Sequence, residues 1–280
     1  MSGFLINAYI QINQNLIMAN LVDINVVHKY LTRMLLEFDE FMLENDIDYS
    51  IAYGTLLGAV RHQGFIPWDD DIDIFITREN YNKFLSVKQK LPSYYFLQCA
   101  ESDPNYKLPF PKLRDNRIFV REGNENDNGL SNGAFIDFFI VDGFNDITLS
   151  CLSNVRKLRK FEKHRESMLE RNKLIYSLLS IPKNIGRFLM KREISDVCNK
   201  CLLKKVEGSS YAACVLYIAD QIWRTEDFLP VERKYKFEGM LLPGPKNYDP
   251  ILKLFFGDYL QLPPVNQRYI HLLEFKVLVS

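Results

Sequence analysis

The chain has 280 residues, 47% of them hydrophobic, which is enough apolar mass for a sizeable core. Its 35 basic and 35 acidic residues cancel. No run approaches the roughly eighteen apolar residues of a membrane-spanning helix, and Asn7, Gln11, Asn13, Gln14 and Asn15 interrupt the first apolar stretch, so no secretory leader is expected. Cys99, Cys151, Cys198, Cys201 and Cys214 are scattered and odd in number, which fits a reducing, cytoplasmic compartment.

In chain order, Asp23 caps a predicted helix whose apolar residues Val26, Val27, Tyr30, Leu31, Met34, Leu35, Phe38 and Met42 recur at helical spacing. This helix is expected to pack across the back of a sheet. Tyr49-Ser50-Ile51-Ala52-Tyr53 suits a strand, and Gly54-Thr55 leads into a short helix over Leu56 to His62. A strand, a Gly-Thr corner and a helix N-terminus form a ready anion site, because free N–H groups point outward there. Gly54 permits close backbone approach, and Thr55 offers a hydroxyl as cap or phosphate donor.

Sixteen residues after Thr55 comes Asp71, within Ile66-Pro67-Trp68-Asp69-Asp70-Asp71-Ile72-Asp73-Ile74-Phe75-Ile76, a run with four carboxylates in five residues ahead of an apolar strand. At period two, Ile72, Ile74 and Ile76 share one face while Asp71 and Asp73 share the other. Like charges so close resist joint ionisation. A divalent cation removes that repulsion, and Mg²⁺ favours one or two carboxylates plus substrate phosphates. A solvated acidic turn is the plain alternative. A calcium loop is rejected, since Ile74 stands where the turn glycine belongs and Asn80 where a bidentate Glu belongs.

Thr77 to Lys90 reads as a helix ended before Pro92, with Tyr94 to Gln98 and Arg117 to Arg121 as candidate strands. Glu122 to Asn132 is a Gly-, Asn- and Asp-rich loop of the kind that carries binding specificity. Gly133 to Val141 is a strand in which Asp137 interrupts an otherwise apolar run. Burying one Asp there is expensive unless it meets a cation or a donor. It is a candidate metal ligand or general base, with a local N–H partner as the ordinary alternative. Asp142, beside Gly143, is expected to be a turn residue.

Between Arg156 and Arg192 there are twelve basic residues against three acidic ones. They flank the apolar run Leu174 to Ile181, the pattern of an interfacial helix at an anionic inner leaflet. A solvated helical face is the alternative. The segment lacks stacking aromatics and any recognised module, so nucleic acid is not an expected partner. Cys198 and Cys201 have metal-ligand spacing without a second pair nearby. Further on, Tyr235 to Leu242 suits a strand before Pro243, and Tyr248 to Phe256 a helix stopped by Gly257.

The run from Tyr53 to Asp73 resembles the signature of the LicD family, a branch of the nucleotidyltransferase fold related to fukutin-related ribitol-phosphate transferases. Phe110 to Asp115, Gly133 to Phe139, Phe237-Glu238-Gly239, Phe256 to Tyr259, Leu262-Pro263-Pro264 and His271 extend the resemblance. It implies an α+β fold with a mixed central sheet flanked by helices. The expected layout is a catalytic core over 1–150, a basic helical segment over 151–215, and a return to the catalytic domain over 216–280. It also implies a metal-dependent phosphotransferase using Mg²⁺ or Mn²⁺, moving a phospho-alcohol such as phosphocholine from a CDP-linked donor to a sugar hydroxyl, with release of CMP. The glycan acceptor would be a lipopolysaccharide, teichoic acid or capsule, built on a lipid carrier in some cases, at the inner face of the membrane. A third carboxylate on a neighbouring strand is expected of the fold, and Asp137 supplies one. The implied site is thus Asp71, Asp73 and Asp137 as metal ligands and catalytic groups. Gly54, Thr55, Arg61, Trp68, Lys112, Arg114 and Glu238 would contact or support the donor. A nucleotidyltransferase releasing pyrophosphate, or a non-catalytic metal- or partner-binding module, are the alternatives.

Overall fold

Largely apolar strands, buried on both faces, build the central sheet of the computed structural model, which describes residues 23–99, 101–103, 106, 108–122, 131–145, 205–214, 221–268 and 270–278. Its elements are α1 (Ile24–Glu44), β1 (Ser50–Ile51), α2 (Tyr53–His62), β2 (Ile72–Thr77), α3 (Arg78–Val87), β3 (Tyr95–Gln98), β4 (Lys112–Glu122) and β5 (Gly133–Phe144). There follow β6 (Tyr211–Ala213), β7 (Trp223–Arg224), α4 (Thr225–Phe228), β8 (Glu232–Phe237), β9 (Met240–Gly244), α5 (Tyr248–Phe256) and β10 (Leu272–Val277). The strands run in the order β1-β2-β5-β4-β10, with β3 also on β4 and the β6–β7 pair continuing from the end of β5. Only the β2–β5 contact is parallel among these described pairings, so the sheet is mixed as expected.

The two faces of the sheet have different jobs. Ile72, Ile74, Ile76, Ile136 and Phe138 are buried on one face. Helix α1 covers that face, setting Phe38 against Phe138 at 5.6 Å, and Phe84 of α3 closes on the same ring at 5.2 Å. Each such fully buried large apolar side chain stabilises by roughly 1.5–3 kcal/mol relative to exposure. Asp23 caps α1 by accepting from the Asn25 N–H, and Thr77 caps α3 by accepting from the Asn80 N–H. On the other face Tyr53, Phe75, Phe139, Trp223, Phe228 and Phe255 form an aromatic cluster beneath α2 and α5. The carboxylates stand at one end of it.

Three local expectations change. Helix α2 begins at Tyr53, not Leu56, because the chain turns directly out of β1. Asp142 is no turn residue. It continues β5 opposite Ala213, is buried, and receives two hydrogen bonds from Arg78 at 2.5 and 2.6 Å. The run Tyr235 to Leu242 is two strands instead of one, reversed at Glu238 (φ 48°) and Gly239 (φ 81°), a two-residue turn with both central φ positive. The basic segment 156–192, Cys198 and Cys201, and most of the loop from 122 to 132 lie outside the described residues. No helix among the described residues is long and apolar enough to cross a membrane.

Candidate active site

Strand register brings the acidic residues together. Asp73 of β2 stands directly opposite Asp137 of β5, and Asp137 stands opposite Lys112 of β4. Partners in register project to the same face, so these three side chains form one row across three strands. Asp71 enters from just before β2. One carboxylate oxygen from each of Asp71, Asp73 and Asp137 lies within 4.8 Å of the others. Asp73 and Asp137 are buried and Asp71 half-buried.

Such a group is electrostatically expensive. Burial pushes the Asp71 carboxyl up to about 6, helped by the neighbouring Asp70 charge. Asp73 is raised well above the ordinary carboxylate range, first by burial and then by Asp71, Asp137 and Asp69. Lys112 Nζ lies 3.7 Å from Asp137 Oδ1 and 3.3 Å from the centre of the Phe135 ring. One ammonium group does not balance that many carboxylates. Three hard oxygen donors converging from two strands are the donor set that Mg²⁺ or Mn²⁺ takes, and either ion would remove the repulsion that raises these pKa values. The residues therefore fit a divalent cation.

The Gly-Thr corner serves this group in a way the sequence did not show. The Gly54 N–H donates to Asp73 Oδ2 at 3.1 Å, and the Asp73 N–H donates to Thr55 Oγ1 at 2.9 Å. Thr55 is buried. Both residues thus fix Asp73: the Gly54 N–H is engaged by the carboxylate, and Thr55 serves as an acceptor. Gly54 is also required by space: a Cβ there would sit 2.5 Å from Asp69 Oδ2.

The remaining acids of the cluster divide their work. Asp69, not among the residues expected for the site, places its carboxylate beside Gly54 next to Asp73, and burial with the Asp71 and Asp70 charges raises its pKa strongly. Asp70 instead ties down the end of the chain: it accepts from the Leu272 N–H at 2.6 Å and lies 3.3 Å from His271 Nδ1. This gives His271 a structural contact. The backbone carbonyl of Asp69 bonds His28 of α1 at 2.7 Å, so the acidic loop is gripped from both ends of the chain.

The other expected site residues separate. Arg114 is 1% exposed, and its guanidinium donates to Gln98 Oε1 and the Gly133 carbonyl. It braces β3, β4 and β5 from inside. Glu238 Oε1 accepts from the Phe65 N–H at 3.2 Å and packs against Gly64, so it holds the loop after α2. Arg61 donates to the Tyr259 carbonyl at 2.9 Å, and its Nε donates to His62 Nε2. Burial and the Arg61 charge lower the His62 pKa. Trp68 is half-buried beneath the Arg268 guanidinium, 4.8 Å from the ring centre. Asp71, Asp73, Asp137 and Lys112 converge with Gly54 and Thr55 behind them. Arg61 and Trp68 stand at the margin.

Comparison with known proteins identifies the family. Residues 46–184 match the family model described as LicD/FKTN/FKRP, nucleotidyltransferase domain. Over 247 residues the chain is 30% identical to the lipopolysaccharide cholinephosphotransferase LicD of Haemophilus influenzae, covering 80% of this chain and 86% of that protein. A 90-residue stretch is 47% identical to an uncharacterised protein of Rickettsia typhi, and a 64-residue stretch 45% identical to one of Rickettsia prowazekii, covering 24% and 23% of those proteins. With a mixed sheet flanked by helices and an acidic row at its parallel strand pair, the chain belongs to the LicD family of transferases with the nucleotidyltransferase fold.

Proposed function

We propose that the protein is a metal-dependent phosphotransferase that moves a phospho-alcohol, phosphocholine as the first candidate, from a CDP-linked donor to a sugar hydroxyl of a cell-surface glycan, releasing CMP. The observation that carries this reading is the convergence of Asp71, Asp73 and Asp137 oxygens within 4.8 Å across β2 and β5. The Haemophilus influenzae relative, a lipopolysaccharide cholinephosphotransferase, supplies the choice of phosphocholine and lipopolysaccharide.

In this reading Asp71, Asp73 and Asp137 hold the cation. What Mg²⁺ or Mn²⁺ supplies when bound is neutralisation of donor diphosphate charge and stabilisation of charge on the transferred phosphoryl group. Gly54 and Thr55 keep the Asp73 carboxylate in one orientation, which lowers the reorganisation needed when substrate enters. Asp137 takes the proton of the acceptor hydroxyl as the sugar oxygen attacks phosphorus, and CMP leaves with the electrons of the broken P–O bond. Lys112 holds Asp137 by charge and donates no proton in this scheme.

The test is incubation with Mg²⁺ or Mn²⁺ and a panel of CDP-choline, CDP-ribitol and CDP-glycerol with glycan acceptors, detecting CMP by mass. CMP formed only when donor, acceptor and divalent cation are all present is the expected result. Absence of CMP from every donor would sink the proposal, and pyrophosphate released from CTP would replace it with nucleotidyl transfer.

A further inference from the structure

Two arginines are held together at the margin of the acidic centre by one loop. Arg61, in the last turn of α2, donates to the Tyr259 carbonyl, and Arg268 Nε donates to the Pro263 carbonyl at 2.8 Å. Arg268 also lies over one face of the Trp68 indole, a contact that fixes a guanidinium plane. Both groups are half-buried. Among the described residues their hydrogen-bond partners are two carbonyls and the His62 ring, with no carboxylate. Arg61 also senses its neighbour: burial and then the Arg268 charge disfavour the charged form of Arg61, while Asp69 favours it.

Adjacent like charges that the fold itself brings together favour an anion beside them, and Asp69 acts on Arg61 in this way. Planar guanidinium groups suit phosphate oxygens, which they meet through paired N–H bonds. Position supplies the rest. Asp69, which senses Arg61, stands beside Asp73 at Gly54, where a single Cβ would lie 2.5 Å from the first carboxylate and 3.5 Å from the second. The arginine pair is therefore one carboxylate removed from the cation-holding group, the right order for a ligand with two linked phosphates.

We propose that Arg61 and Arg268 form a clamp for the diphosphate of the nucleotide donor, with Trp68 holding Arg268 in position. The identity of that ligand rests on the phosphotransfer reading above. One face of the Trp68 indole carries the guanidinium.

The experiment measures binding of CDP, pyrophosphate and cytidine by calorimetry in saturating Mg²⁺, together with donor KM and kcat, for the wild type, Arg61→Gln, Arg268→Gln and Arg268→Lys. Arg121→Gln, in an ion pair with Glu274 on β4 and β10, is the control. Loss of a charge-assisted contact should weaken CDP and pyrophosphate about ten- to hundredfold in each Gln variant, with cytidine unchanged and KM rising more than kcat falls. Arg268→Lys should recover only part of the loss, because Lys cannot make the paired contact. Full diphosphate affinity in both Gln variants, or no pyrophosphate binding by the wild type, overturns the clamp. Wild-type turnover in Arg268→Gln overturns it too, while leaving phosphotransfer standing. Pyrophosphate binding that the variants lose, in a protein that releases no CMP from any donor, upholds the clamp and removes phosphotransfer.

Discussion

Asp39 and Asp142 are buried as deeply as the acids of the candidate site, yet their surroundings differ in kind. Asp142 receives both nitrogens of one Arg78 edge, and Asp39 receives two from Arg233 at 2.8 Å plus the Tyr49 hydroxyl at 2.6 Å. Each is matched by a guanidinium fork in good geometry, the arrangement that makes a buried charge tolerable. At the site, Asp69, Asp71, Asp73 and Asp137 crowd together, with the Lys112 ammonium 3.7 Å from Asp137 Oδ1. The crowded site carboxylates raise one another's pKa, and a divalent cation would relieve that repulsion.

Exchanging one charged oxygen for an amide in each region should separate the two classes most sharply. Asp73→Asn removes a cation ligand and with it several kcal/mol of transition-state charge stabilisation, so turnover should fall by about a thousandfold or more. Its melting temperature in EDTA should hold or rise, because a like-charge neighbour has gone. Asp142→Asn should do the reverse: it loosens a buried charge-assisted pair and should cost about 1–3 kcal/mol of stability, moderated by the partial exposure of Arg78, while leaving kcat close to normal. Equal stability losses in both variants would erase the distinction.

Gly54→Ala sharpens the same contrast through space instead of charge. The new methyl would press on Asp69 and crowd Asp73. Turnover should fall by about tenfold to a hundredfold, as expected for sub-ångström misplacement of a catalytic group. Thermal melts should show a smaller change, since the helical backbone at Gly54 is one that Ala adopts without strain.

Much of this frame was legible in the sequence, for reasons that are local. Asp23 and the 3.6-residue spacing define α1, and alternation defines β2 and the front of β5. The acidic triad followed from two such strands and a family signature. What escaped depends on distant partners. Asp142 looked like a turn because Gly143 follows it, but β6 arrives from nearly seventy residues later to extend the strand. Arg114 looked like a phosphate ligand, and only the tertiary positions of Gln98 and Gly133 show it to be an internal brace. The turn at Glu238 was hidden because its positive φ falls on a residue that rarely adopts one. Asp69 and Asp70 are neighbours with different roles, and it is the return of the chain at His271 and Leu272 that distinguishes them.

The pH response offers a third way to tell the regions apart. The Asp71 carboxyl lies near 6 in the folded chain, above its ordinary value near 4. The folded state then binds more protons than the unfolded state between these values, so this group's contribution to stability falls as pH rises through the window. The stability advantage of Asp71→Asn over the wild type in EDTA should therefore grow from about pH 4 to 6 and level off above. Added Mg²⁺ should close the gap increasingly over the same range, because cation and proton compete for one oxygen set. A gap that stays flat with pH would mean that Asp71 carries no raised pKa.

The smallest effect isolates the corner that holds Asp73. Thr55→Val keeps the shape of the side chain but removes the oxygen that accepts the Asp73 N–H. A buried donor left without a partner should cost about 1–3 kcal/mol, while Thr55→Ser, which keeps the hydroxyl, should cost less. Because the lost bond lies on the backbone of β2, a few-fold fall in turnover should accompany the stability loss, and Mg²⁺ affinity should weaken by a similar factor. If Thr55 instead bound the donor phosphate, Thr55→Val would raise donor KM and leave metal affinity untouched. Metal titration by calorimetry, with and without the CDP-linked donor, separates the two outcomes and tells whether the corner grips the protein's own carboxylate during turnover.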